Sequence, residues 1–123
     1  MTSTVVYNEG DQLSLAATDP ATPAEGDPVL VGQIPGVALT NEIADSADPL
    51  NGKTTVKMNG VAKLSVKGID GGGNSAVAVG DIIYYVTADT PKLSKKATGV
   101  RFGYALETVG SGATATIEVK IGY

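Results

Sequence analysis

The densest grouping of groups that could do chemistry is Asp70-Gly71-Gly72-Gly73-Asn74, two oxygen-bearing side chains around a glycine run. Such a loop could hold calcium through Asp70, Asn74 and backbone carbonyls, but the spacing fits neither an EF-hand nor a glycine-rich calcium repeat. A phosphate cradle needs Lys-Ser/Thr after the glycines and a helix start to supply partial positive charge, and neither follows Gly73. A flexible turn accounts for the same residues. Paired carboxylates could hydrolyse a glycoside. The acids here, however, stand beside prolines and glycines, as in Asp19-Pro20, Gly26-Asp27-Pro28 and Asp48-Pro49, where they bond local amides in solvated turns. The chain has no histidine and no cysteine, which removes Ser-His-Asp and Cys-His catalysis, the ordinary zinc sites and any disulfide framework. The reading is therefore not an enzyme, with no catalytic, cofactor-binding or metal residue to assign and no cofactor required.

The elements around these residues are strands. Gly26-Asp27-Pro28-Val29-Leu30-Val31 leads to Gly36-Val37-Ala38-Leu39, and Gly80-Asp81-Ile82-Ile83-Tyr84-Tyr85-Val86 leads to Gly103-Tyr104-Ala105-Leu106, so one phrase occurs twice. Glycine gives the turn its backbone freedom, aspartate bonds nearby amides, and the β-branched and aromatic run suits a pleated, half-buried surface. A third Gly10-Asp11 opens a strand over 12–16, in which Leu13 and Leu15 alternate with polar neighbours. Further strands are expected at 29–33, 36–40, 82–87, 92–96, 101–108 and 113–121, with Ile34-Pro35 interrupting the second and third. Tyr84 and Tyr85 point to opposite faces of their strand, one into the core and one to the surface or a subunit contact. No segment carries a helical period. The fold class is all-β, a small barrel or β-sandwich of short, mostly antiparallel strands, with residues 1–8 a candidate N-terminal arm and 9–123 one β domain.

Residues 54–67 read as a hairpin around Asn59-Gly60. A two-residue loop places Lys57 opposite Ala62 and mixes lysines into the apolar Ala62-Leu64-Val66 face, so a three-residue loop, Met58-Asn59-Gly60, is expected, pairing Val56 with Ala62 and Thr54 with Leu64. Lys57, Lys63 and Lys67 then share one outer face, a candidate charged docking surface.

Net charge is −4, but residues 1–52 hold eight carboxylates and no base, whereas 53–123 hold nine bases and five acids. If the two parts do not interleave in space, the protein has an acidic and a basic side suited to oriented docking or head-to-tail contact. If they do, the acids simply populate solvated loops. Aromatics are one Phe and five Tyr, so the core is mostly Val, Ile, Leu and Ala and the monomer's margin over chain entropy is thin; a partner subunit enlarges it. The bases lack the interleaved aromatics of a nucleic-acid platform. No run reaches the length of about 20 apolar residues that spans a bilayer, and the first residues have no signal-peptide pattern. The chain is expected to be soluble and unexported, binding neither nucleic acid nor membrane.

In this order and spacing the phrases resemble those of phage capsid cement, or head decoration, proteins. The resemblance rests on Glu9-Gly10-Asp11 with its Leu-x-Leu strand, the phrase from Gly26 to Thr40, Asn59-Gly60-Val61 leading to Lys67, Val79-Gly80-Asp81 through Tyr85 with Thr98-Gly99 and the run from Gly103 to Glu107, and the terminal strand from Ala115 to Ile121. It spans residues 9–121 and departs at Gly71-Gly72-Gly73 and in the connection 41–53. It implies a structural virion protein, made in the host bacterial cytoplasm. As a homotrimer it binds the exterior of an expanded head and clamps neighbouring major capsid protein subunits against internal DNA pressure. Thr4, Val5, Val6 and Tyr7 have the composition of an arm that adds a strand to the capsid protein; an ordinary first strand of the chain's own sheet is the other reading. A carbohydrate-binding or host-attachment module on the virion is the alternative function. The small trimeric dUTPase-type hydrolases, faintly echoed by Gly68-Ile69-Asp70, are set aside because no tyrosine and Arg-Gly pair follows and no Arg-Ser-Ser segment exists.

Overall fold

A computed structural model describes residues 12–42, 47 and 52–122, and in them the chain is all strand, turn and loop. The strands are β1 (Gln12–Leu15), β2 (Pro28–Val31), β3 (Ile34–Ala38), β4 (Thr54–Lys57), β5 (Val61–Lys67), β6 (Ile69–Asp70), β7 (Gly73–Asn74), β8 (Ile82–Tyr85), β9 (Leu93–Ser94), β10 (Val100–Ala105) and β11 (Thr114–Ile121). β1 to β4 form one sheet in the order β1-β4-β3-β2. The later strands close a barrel in the order β10-β11-β5-β9-β8, with β6 and β7 a small separate ribbon. Every pairing is antiparallel except β5 with β9. The all-β expectation holds, in its barrel form.

Three strand pairings occur twice with one register. Val29 faces Gly36 in the first half as Ile83 faces Gly103 in the second, and Pro28 faces Val37 as Ile82 faces Tyr104. Val37 faces Lys57 and Ala38 faces Val56; Tyr104 faces Lys120 and Ala105 faces Val119. Leu13 and Leu15 lie against β4 as Ala62 and Leu64 lie against β11. The order β1-β4-β3-β2 is thus repeated as β5-β11-β10-β8.

Local chemistry is repeated too. Gly26 and Gly80 take φ of 89° and 91°, in the left-handed region that side chains avoid. Gly26 N donates to Ala38 O at 2.8 Å and Gly80 N to Ala105 O at 2.7 Å. The following aspartates cap the turns, Asp27 Oδ2 accepting from Ala24 N at 2.9 Å and Asp81 Oδ2 from Ala78 N at 2.8 Å. A Cβ on Gly36 would stand 2.9 Å from Lys57 O, and one on Gly103 would stand 1.9 Å from Lys120 O, so close strand approach admits only glycine at both places.

The halves differ in how they close. Gly32 and Gln33 join β2 to β3 in a two-residue hairpin. Its closing pair is Val31 and Ile34, so Pro35 falls in the next, non-hydrogen-bonded pair and its nitrogen faces away from β2. β4 reaches only Val37 and Ala38, so no ladder bond is lost there and Pro35 is a strand residue rather than an interruption. The chain after β1 returns to the outer edge of β2, where Leu30 N donates to Asp19 O at 2.8 Å and Thr18 N to Leu30 O at 2.7 Å. In the second half residues 86–99 replace the tight hairpin and contribute β9, which lies between β5 and β8.

The expected hairpin of 54–67 does not form in either register. β4 pairs with β1 and β3, β5 pairs with β11 and β9, and the chain crosses from sheet to barrel at residues 58–60. Gly60 does take a left-handed φ of 87°, but in a crossover. Apolar alternation gave each strand its inward face without identifying its neighbour, and two better-matched partners outcompeted the local pairing.

The large core belongs to the barrel, where Tyr85, Phe102, Ile83, Leu93, Ile117, Val119 and Ile121 are buried together; the Tyr85 and Phe102 rings stack at 6.3 Å. Among the described residues the first half's own apolar cluster is Val29, Ala38 and Val56, with Leu15, Ala17 and Met58 against them. Leu30 and Val37 point the other way, join the barrel's cluster and bind the halves into one body.

Candidate functional site

The halves meet at a polar clamp as well. Asp19, at the bridge to β2, accepts a hydrogen bond from the Tyr85 hydroxyl and one from Lys92 Nζ at 2.8 Å, with the Lys92 ammonium 5.5 Å from the centre of the Tyr85 ring. Partial burial pushes the Asp19 carboxyl upward, but the Lys92 and Tyr85 hydrogen bonds and the Lys92 charge outweigh it and hold the group below its ordinary value. Burial first, and the neighbouring Asp19 second, push the Tyr85 hydroxyl up, so it stays a donor. A cleft of about 240 Å³ runs beside this clamp, lined by Pro20, Asp27, Pro28, Ser65, Pro91 and Lys92. Composition had marked Asp19 as a solvated turn acid. Its role comes from a partner 66 residues away, which no local pattern signals.

Asp81, the second-half counterpart of Asp27, also lies 3.4 Å from Lys95. The Ala78 amide, against some burial and with help from Lys95, lowers its carboxyl. Lys96 pairs with Asp89 at 3.0 Å. Asp70 Oδ1 accepts from Gly72 N at 2.8 Å, the turn bond that shapes the β6-β7 ribbon. Among the described residues no group of three or more acidic side chains converges as metal ligands would.

The proposed contact residues fall in different parts of the chain. Thr4, Val5, Val6 and Tyr7 lie outside the described residues. Lys63 and Lys67 share a face of β5, opposite Glu118 and Thr114, but Lys57 belongs to β4 in the other half. The hairpin that was to put all three lysines on one face does not form, and Lys57 lies in a different sheet from Lys63 and Lys67.

Among the described residues the first-half strands occupy one sheet and the second-half strands the barrel; the first half carries Asp19, Glu25, Asp27 and Glu42 against Lys53 and Lys57, and Asp19 is paired across the halves with Lys92. Before Gly60 there are eight carboxylates and two lysines, net −6; from Gly60 onward there are five carboxylates and seven bases, net +2.

A further exposed group was only half legible. Tyr85 is the core member of the tyrosine pair, and Tyr84 is partly exposed on the outer barrel face. Across the sheet Arg101 faces Tyr84, and Tyr104 faces Lys120. Arg101 donates to the Tyr104 hydroxyl; its guanidinium lies 5.4 Å and Lys120 Nζ 5.9 Å from the Tyr104 ring centre. A bulge between Arg101 and Gly103 keeps Arg101 and Tyr104 on one face while Phe102 turns inward.

No helix among the described residues is long and apolar enough to cross a membrane. Comparison with protein families matches residues 7–121 to the model of the phage cement proteins. No curated protein and no solved structure matches the chain.

Proposed function

The chain belongs to the phage cement protein family, and from that premise we propose that it binds the outer surface of a tailed-phage head and stabilises the capsid. Membership makes it a virion-associated structural protein of a phage capsid. The finer reading is that it docks on the major capsid protein as a homotrimer, holds neighbouring capsid subunits together and performs no catalysis. The observation that carries this reading is the family match over 7–121, nearly the whole chain. The architecture supports it: a small sheet and a barrel clamped into one body suit a part that bears load between neighbours. Thr4, Val5, Val6 and Tyr7 serve as the arm that adds a strand to the capsid, with Lys63 and Lys67 as charged contacts beside the body. The test is to purify heads lacking this protein, add it back and image them. Wild-type protein decorates the exterior, and a variant lacking residues 2–7 stays folded and self-associated but leaves heads bare. Undiminished decoration by that variant would remove the arm from the account.

A further inference from the structure

We infer that the outer face of β8, β10 and β11, carrying Tyr84, Arg101, Tyr104 and Lys120, is the self-association surface of this protein and seats the acid-rich first half of a second copy. The inference deepens the homotrimer reading by naming its contact, and it stands apart from whether the protein binds heads.

The internal repeat carries the argument. Since Val29 corresponds to Ile83 and Val37 to Tyr104, Leu30 corresponds to Tyr84. In the first half this face is already an interface with a unit of the same topology: Leu30 and Val37 are only 4% and 6% exposed because the barrel covers them. In the second half the corresponding tyrosines are partly exposed, and no strand among the described residues lies over them. The same face is used once inside the chain and left over once.

The leftover face has the chemistry of a contact. Tyrosine and arginine are enriched where interfaces carry their energy, because they bury much area while losing few rotors. Arg101 and Lys120 flank the Tyr104 ring and hold it in place before any partner arrives.

Charge selects the occupant. Arg101 and Lys120 outweigh Glu118, the carboxylate that β11 carries on the same outer face, while the first half has no base before Lys53 and shows Glu25 exposed with Asp27 and Glu42 half-buried beside it. Glu25 N bonds Asn41 Oδ1 at 2.9 Å and Glu42 N bonds Pro23 O at 3.0 Å, so these acids share one end of the sheet. Basic face on acidic half attracts; basic on basic repels. The contact is therefore head-to-tail, and copies joined so form a ring where the rotation closes.

The test is sedimentation of the purified chain without heads, with near-ultraviolet circular dichroism as the check on folding. Wild type sediments as a multimer that weakens with added salt, whereas Tyr84→Ser and Tyr104→Ser each weaken association by roughly 30-fold or more. As a second measurement, photoreactive benzoylphenylalanine replaces Tyr84, whose partly exposed position on the outer face leaves room for the larger side chain. Its crosslinks fall in residues 12–57 of a second copy. A monomeric wild type, serine variants with unchanged mass, or crosslinks confined to residues 60–122 would overturn the inference. So would variants that self-associate normally but fail to bind heads, because the face would then belong to the capsid.

Discussion

The first half and the second half of this chain are built on the same ladder and hold themselves together by different means. β1-β4-β3-β2 has a tight hairpin, a return of the chain onto β2 and three fully buried apolar side chains of its own. β5-β11-β10-β8 has a long connection, an intervening β9 and a core built on Tyr85 and Phe102. Repeated register sets the architecture, whereas stability depends on how much apolar surface each copy encloses. The first half owes its order to Leu30, Val37 and Asp19, which fasten it to the second.

The sharpest way to break this asymmetry is to empty each core in turn. Phe102→Ala is expected to cost about 3–5 kcal/mol and to weaken both halves together, because Leu30 and Val37 lose the surface they pack on. Val56→Ala removes two methylene-sized groups and is expected to cost about 1.5–2.5 kcal/mol. Native-state hydrogen exchange separates them: Val56→Ala speeds exchange in β1 to β4 alone, and uniform acceleration would show that the halves have no separate stability.

The paired glycines come next. Gly103→Ala pushes a methyl to 1.9 Å from a backbone carbonyl, which β10 and β11 relieve only by separating. At Gly36 the nearest atom is Val56 Cγ1 at 2.4 Å, a side chain that rotates, with Lys57 O behind it at 2.9 Å. Both lower the unfolding free energy measured by denaturant titration, Gly36→Ala by about 1–3 kcal/mol and Gly103→Ala by more. The opposite ranking would contradict the closer strand approach in the barrel.

Asp19→Asn tests the fastening between halves. It keeps an acceptor for Tyr85 and loses the charge facing Lys92, at an expected cost of about 1–2 kcal/mol near neutral pH for this partly exposed pair. The folded carboxyl lies below its ordinary value of 3.8, so its contribution is present above about pH 4 and is lost as pH falls through the lowered folded value. Wild type therefore loses stability on acidification below about pH 4 more steeply than Asp19→Asn. Parallel pH profiles would remove the clamp from the account.

The smallest contrast lies at the turn aspartates. Asp27→Ala loses one cap, and Asp81→Ala loses a cap together with the Lys95 pair. Thermal unfolding is expected to show about 1 kcal/mol for the first and slightly more for the second.

Much of this was written in the sequence. The twin phrases mark the repeated turns, alternation in residues 114–121 gives β11 its inward and outward faces, and the absence of helical period gives the fold class. What escaped was everything set by distant partners. Residues 54–67 alternate well enough to suggest a hairpin, but β4 and β5 each find a better neighbour elsewhere, which puts Lys57 in a different sheet from Lys63 and Lys67. Asp19 carries no local sign of Tyr85 and Lys92. The second copy of the Leu30 and Val37 face was hidden because tyrosines stand there in the barrel, and only register shows the correspondence.

The central claim, that this cement-family chain reinforces a phage head from outside, is tested most directly by heating purified heads with and without it and following DNA release. Added protein is expected to raise the release temperature saturably, with the gain lost when residues 2–7 are removed. Heads that release their DNA at the same temperature whether or not they are saturated with the protein would contradict it.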